Sequence, residues 1–385
     1  RHYTFMLQGL KDVASEISSR GGHFALRLGN PPDVACQEAK DAAVVVTDRG
    51  YLRHLREWRS ALAQDAPCLV EMVEGDVVVP VEAASDKKET AARTIRKKLH
   101  RAVSEFDTLP ATTPIAKAAR GLKDDKDRTL GDVSAFVDEL GCDMSVGAID
   151  TLKGGQQQAE ATLKTFLTKS LDAYGDGRAD IVNRNVSHLS PYLHFGQISP
   201  LRILHSVRNA KSNDGSKDAF IEEMLIRREL AVNFVHYEPD YDQFSALPGW
   251  AQDTLKHHAK DDRGETYSLK QLEDSKTDDP YWNAAMREMR VTGYLHNHLR
   301  MYWGKRIIAY VQDPKRAFKM ALTLNNKYFL DGRDANSFAN VAWLFGQHDR
   351  GWPERDVFGK VRTMMPSGLK RKFDIDAYVK WANRL

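Results

Sequence analysis

The chain has 385 residues, of which 42% are hydrophobic and 28% charged, and its net charge is only +3. That length suits two domains, with apolar material for a sizeable core, and no apolar run nears the roughly 20 residues a membrane helix needs. The three cysteines, Cys36, Cys68 and Cys142, lack CxxC spacing, which excludes a disulfide scaffold and a cysteine-rich zinc site and suits a reducing intracellular compartment.

The opening RHYTFMLQGL has no signal-peptide layout and reads as a start partway through a domain. Across residues 1–110, helix-period stretches at Tyr3–Ile17 and Arg53–Leu62 alternate with short apolar runs. Those runs, His23–Leu28, Ala42–Thr47, Cys68–Val73 and Val77–Val81, predict strands. Such alternation predicts an α/β domain with a doubly wound parallel sheet. No GxGxxG follows any strand, so the usual dinucleotide fingerprint of such a sheet is missing. Residues 111–156 read as an interdomain linker, with Pro110, Pro114, the charged run 123–127 and Gly154-Gly155. From 157 to 385 the strand signal fades, and helices are expected at 158–173, 199–210, 217–236, 268–274, 281–311 and 314–325. The second domain is therefore expected to be all-helical.

Common catalytic signatures are absent: there is no HExxH, P-loop or GxSxG. His194, His296 and His298 lack a second ligand set, so no metal site is expected. Residues 187–199, SHLSPYLHFGQIS, join hydroxyls to an incipient helix, which serves either a phosphate or plain capping. In 222–234 the buried stripe of Leu225, Ile226, Leu230 and Phe234 leaves Glu223 and Arg227 at its margin. Trp303 and Tyr310 are seven apart, on one helix face, a spacing that more often serves a core than an electron path. The loop 346–352 lies between Trp343 and Trp352, flat aromatics that can stack on unpaired bases. In residues 341–385 nine basic side chains minus five acidic ones leave +4, more than the whole chain's surplus. Such a tail supplies phosphate contacts or simply a solvated surface.

Taken in order, these segments resemble the class II cyclobutane pyrimidine dimer photolyases of the photolyase/cryptochrome superfamily. The likeness is densest in SHLSPYLHFGQIS (187–199), RREL (227–230) with NF (233–234), RMYW (300–303), LNNKY (324–328), LDGRD (330–334), HDRGW (348–352) and KRKFD (370–374). The resemblance implies FAD in the helical domain and an electron passing, under blue light, from reduced anionic FAD to a dimer flipped out of double-stranded DNA. Tyr174, Ser187, His188, Leu189, Ser190, Arg228 and Asp334 would hold the FAD, with Arg300 and Asp331 paired beside its ring and Asn325 facing it. Glu223 and Met301 would line the dimer pocket. Trp303, Trp282 and Tyr310 would relay electrons to oxidised FAD. Arg178, Arg227, Trp343, Arg350, Trp352, Arg362, Lys370 and Arg371 would meet the lesion strand. The likeness further implies a monomer inside the cell, with the DNA, needing no membrane and no obligate protein partner.

Four departures stand out. Tyr310 occupies a position where the family often has a third tryptophan, and the loop after Trp343 is one residue shorter than in many plant and animal members. Gly-Asp-Val at 75–77 replaces the family's His-Asn before Val-Val-Pro, which weakens the assignment of an antenna pigment, deazaflavin or folate, to the first domain. The family's first strand–helix–strand has no counterpart here, and a Rossmann-like sheet without it is expected to expose apolar edges. A cryptochrome-like blue-light receptor is the rival reading, and a nucleic-acid binder that has lost its flavin is a third.

Overall fold

The computed structural model describes residues 1–119 and 127–385, so residues 123–126 of the charged run lie outside the described residues. The N-terminal region runs α1 (His2–Ser19), α2 (Pro31–Glu38), β1 (Val44–Asp48), α3 (Arg53–Asp65), β2 (Leu69–Val73), α4 (Val81–Ala84), α5 (Ala92–Phe106) and α6 (Val133–Glu139). Strands β1 and β2 pair in parallel, from Val44 opposite Leu69 to Asp48 opposite Val73. Helix α3 is the crossover that a parallel pair requires. Within the stretch 111–156, Phe136 and Val137 of α6 pack on Leu7 of α1.

Two of the four expected strands do not form, and their backbone groups have other partners. The amides of Val78 and Val79 donate to the Glu229 carboxylate, and that of Val81 donates to Glu74. A segment whose N–H groups are taken by side chains has none left for a ladder. In the other run, Arg27 pairs with Glu38 and Asp127, and the Leu26 carbonyl accepts from the Arg128 amide.

The remainder is helical: α7 (Gln156–Lys169), α8 (Tyr174–Gly177), α9 (Ser190–His194), α10 (Pro200–Arg208), α11 (Asp214–Ile221), a π turn (Glu222–Arg227) and α12 (Arg228–Tyr237). There follow α13 (Gly249–His257), α14 (Leu269–Glu273), α15 (Pro280–Thr292), α16 (Asn297–Tyr310), α17 (Pro314–Tyr328), α18 (Ala335–Leu344), α19 (Pro366–Lys372) and α20 (Ile375–Ala382). Among the described residues no helix is long and apolar enough to cross a membrane.

The single helix expected over 281–311 is two helices. Gly293 adopts φ +69° and closes α15, a conformation that glycine takes without the Cβ penalty. His296 Nδ1 then accepts from the His298 amide and caps α16. The break carries Tyr294, Leu295 and His296 into the wall of a large hollow. Helices α12, α16, α17 and α18 pack on one another around that hollow. Gly304 lets α16 approach α18 closely, since a Cβ there would meet Leu344 Cδ1 at 2.1 Å.

Candidate active site

The hollow has a volume of about 700 Å³, within the ~300–1,000 Å³ usual for ligand sites. Its lining includes the turn Ser187–Ser190 with Tyr174 and Arg178, then Glu223, Arg227 and Arg228 from the π turn and the start of α12, and Arg300, Met301, Trp303 and Asn325 from α16 and α17. Asp331, Asp334, Trp343 and Arg362 belong to it as well. Seventeen of the residues to which the resemblance gives a role therefore line one cavity.

Local structure explains their aim. The π turn adds a residue to the helical repeat, a feature frequent at functional sites. It lies where Glu223 and Arg227 face the cavity while Met224, Leu225 and Ile226 are buried. His188 is held at φ +54°, a left-handed conformation that costs free energy away from glycine. Leu189 then donates its amide to Ser187 Oγ at 3.4 Å. Pro191 follows Ser190 and starts α9 with a preset φ.

Charges in the cavity are paired. Arg300 Nη2 lies 3.1 Å from Asp331 Oδ1, and Asp331 Oδ2 accepts from Ser190 Oγ at 2.7 Å. The Arg300 guanidinium also covers the Phe329 ring at 3.7 Å. Arg178 donates to Glu223 Oε1 at 2.6 Å. Burial alone would raise the Asp334 carboxyl, yet the hydrogen bond and charge of His194, with Arg228 and the Asn336 amide, hold it well below the carboxylate range. Arg228 reaches out of the helical region to Asp76 Oδ1 at 2.6 Å. Beside it, desolvation pushes buried Glu229 up to about 8, although it accepts the Val78 amide at 2.6 Å.

Trp282 and Tyr310 lie behind the wall rather than in it. The Trp303 and Trp282 rings are stacked, 6.4 Å apart at 10°, and Trp282 Nε1 donates to the Trp303 carbonyl. Tyr310 meets Trp282 edge-on at 6.0 Å. Arg350 and Trp352 also lie outside the lining, but Trp352 sits between the Arg350 and Arg362 guanidiniums at 5.2 and 5.0 Å, and so joins the cavity through Arg362. Lys370 and Arg371 are exposed on α19, away from the cavity.

FAD suits this cavity. Hydroxyls, paired charges, a neutral amide and a flat indole all line it, and the buried Trp303 Nε1 has no hydrogen-bond partner among the described residues.

Sequence reasoning missed Tyr294, whose ring meets His188 at 4.7 Å in the cavity wall. It also missed Lys305, fully buried, whose Nζ donates to the Leu344 carbonyl and fixes the end of α18 next to Trp343. Desolvation lowers that ammonium to about 7. No pattern marks Lys305, whereas Gly293 before Tyr294 was a readable helix stop.

The DNA photolyase family model matches residues 1–117. A deoxyribodipyrimidine photo-lyase of Methanothermobacter thermautotrophicus is 44% identical over 381 residues, covering 98% of this chain and 83% of that protein. A bacterial class III photolyase from Agrobacterium tumefaciens has a similar crystal structure, with a TM-score of 0.78 at 21% identity over 99% of this chain and 77% of that one. An archaeal photolyase from Sulfolobus tokodaii, solved with two FAD molecules, gives a TM-score of 0.71 at 15% identity, covering 98% and 77%. The structural likenesses carry the fold, a small parallel sheet followed by a helical region around one hollow. Identity at the level of the first relative, over nearly the whole chain, carries more: the chain belongs to the DNA photolyase family.

Proposed function

We propose that this chain is a light-driven deoxyribodipyrimidine photo-lyase, of the class II type, that splits cyclobutane pyrimidine dimers in double-stranded DNA. FAD bound in the cavity supplies the light-driven electron donor, and the chain's own residues bind, orient and shield. Tyr174, Ser187, Leu189 and Ser190 would hold the phosphates and ribitol, and His188, Arg228 and Asp334 would also bind the FAD. The Arg300–Asp331 pair would lie beside the ring system and Asn325 would face it, a neutral amide that suits more than one charge state.

A stacked base cannot reach a buried site, so the dimer must be extruded, and its poor pairing lowers the cost. Glu223 and Met301 receive it, the carboxylate accepting from a thymine edge. Because Arg178 holds Glu223 in the free protein, the pair parts when the lesion enters, which frees Arg178 for the strand. Arg227, Trp343, Arg350, Trp352, Arg362, Lys370 and Arg371 contact the backbone and the opened duplex. These contacts set affinity, while the pocket sets specificity. We assign residues 1–110 to an antenna-type domain, 111–156 to a linker and 157–385 to the catalytic domain. The enzyme works as a monomer.

One observation supports this reading above the others: Glu223, Met301 and Asn325 line the same cavity as Arg300 and Asp331, so lesion and flavin residues share one enclosure. A receptor needs no lesion pocket. The test mixes reduced protein with an oligonucleotide carrying one thymine dimer and compares dimer loss under blue light and in darkness. Loss only in light is expected. A flavin-loaded, reduced protein that leaves the dimer intact in light would favour the cryptochrome-like receptor instead.

A further inference from the structure

The aromatic path of this chain ends on a phenol, and the phenol ends on a carboxylate. Tyr310 donates its hydroxyl to Asp279 Oδ2 at 3.2 Å. Asp279 is buried, at 5% exposure, and its two oxygens have separate tasks. Oδ1 accepts the amides of Tyr281 and Trp282 at 3.0 and 3.1 Å, capping the helix that carries Trp282. Oδ2 faces Tyr310, the Tyr302 hydroxyl and Arg306, whose Nε lies 3.1 Å from it and 3.2 Å from the Tyr310 oxygen.

An indole and a phenol carry an electron hole differently. An oxidised indole is a weak enough acid to hold the hole as a radical cation where no base is at hand, whereas an oxidised phenol is a strong acid that keeps the hole only by losing its proton. Burial, and then the Asp279 charge, push the Tyr310 phenol well above its ordinary value, so the resting side chain is neutral. The Arg306 guanidinium lies 4.6 Å over its ring, which disfavours a second positive charge there.

We propose that Tyr310 is a proton-coupled electron donor at the end of the Trp303–Trp282 path, with Asp279 Oδ2 as the proton acceptor. The proposal rests on the relay described above. Light-excited oxidised flavin takes one electron from Trp303, and Trp282 refills Trp303, leaving a Trp282 radical cation. Tyr310 gives one electron to Trp282 while its O–H bond breaks and the proton moves to Asp279. The products are neutral Trp282, a neutral tyrosyl radical and a protonated Asp279. An external thiol later returns the electron, and the proton moves back. Negative charge leaves Oδ2 as the hole arrives, so net charge around Arg306 changes by one unit whether the hole rests on indole or phenol, but only the phenol route confines it to a hydrogen-bonded pair.

The experiment illuminates flavin-loaded, oxidised protein in H₂O and in D₂O and identifies the radicals by electron paramagnetic resonance and transient absorption. Wild type is expected to yield a neutral tyrosyl radical that forms more slowly in D₂O. In Tyr310→Phe the tyrosyl signal should be lost and a tryptophan radical should persist, which reads the relay independently of the phenol step. Asp279→Asn keeps a capping oxygen but cannot take the proton, so it too should lose the tyrosyl signal while retaining the tryptophan radical. Tyr302→Phe, which removes the other phenol on Oδ2, should keep the signal. A tryptophan radical alone in wild type, or an undiminished tyrosyl radical in Asp279→Asn, would overturn the proposal with the relay intact. Silence in both wild type and Tyr310→Phe would overturn the relay and this step with it.

Discussion

The sheet and the helical region use apolar side chains in opposite ways. In the sheet, Val46 and Leu69 are 59% and 61% exposed, and Met72 and Val73 are about half exposed. In the helical region Trp282, Trp303, Leu299 and Leu324 are all at 0%. A two-stranded ribbon has little capacity to bury its own faces, so other elements tie the N-terminal region to the rest: Val78, Val79, Ile95 and Leu99 share an apolar cluster with Leu163, Leu225 and Leu230, and polar contacts add to it. Arg53 pairs with Asp242, the Glu89 amide donates to Asn233, and Glu229 holds the strap at Val78 and Val79. The helical region instead buries its apolar side chains in two large clusters beside the polar hollow.

Substitutions at the hollow should cost function heavily, and those in the sheet should cost little. Arg300→Ala leaves Asp331 part-buried without its cation. Such truncations cost about 2 kcal/mol or more, so FAD affinity should fall by roughly 30-fold, measured as flavin retained on gel filtration. Trp303→Phe should abolish photoreduction of oxidised FAD, and that loss should exceed any change in repair by chemically prereduced protein. Comparable losses in both assays would contradict the relay. Asn325→Leu should shift the bound flavin's one-electron reduction potential while DNA affinity stays near wild type.

The attachment of the two regions offers a test by pH. Desolvation raises the folded-state value of Glu229 from 4.5 to about 8, so between those values the folded state binds more protons than the unfolded one. Its contribution is fully present below 4.5 and is lost as pH rises through about 8, with a slope of at most about 1.4 kcal/mol per pH unit. Glu229→Gln should flatten that decline in thermal melts across the window. Val46→Thr, on the exposed face of β1, should move stability by no more than ~0.5 kcal/mol.

The sequence made the helical region more legible than the sheet, for a physical reason. Helix periodicity and caps are local, so α7, α10, α12 and α17 were readable, as were the clusters at 187–190, 223, 300–303 and 325–334. The run Val77–Val79 has a strand's composition, but the buried Glu229, some 150 residues away, takes its amides. No local pattern encodes that partner. Asp279 shows the same limit: the Asp-Pro pair at 279–280 announces a helix start, but only tertiary packing sets Tyr302, Arg306 and Tyr310 on its second oxygen. Likewise the Arg178–Glu223 pair joins two residues that the sequence assigned separate tasks.

The account stands on lesion and flavin sharing one enclosure. The most direct test measures the excited-state lifetime of the reduced, protein-bound flavin with dimer-bearing DNA and with undamaged DNA of the same sequence. Electron transfer to a dimer held in the cavity should shorten the lifetime with the damaged duplex alone. An unchanged lifetime while the damaged duplex is demonstrably bound would place the lesion outside the cavity and contradict the account.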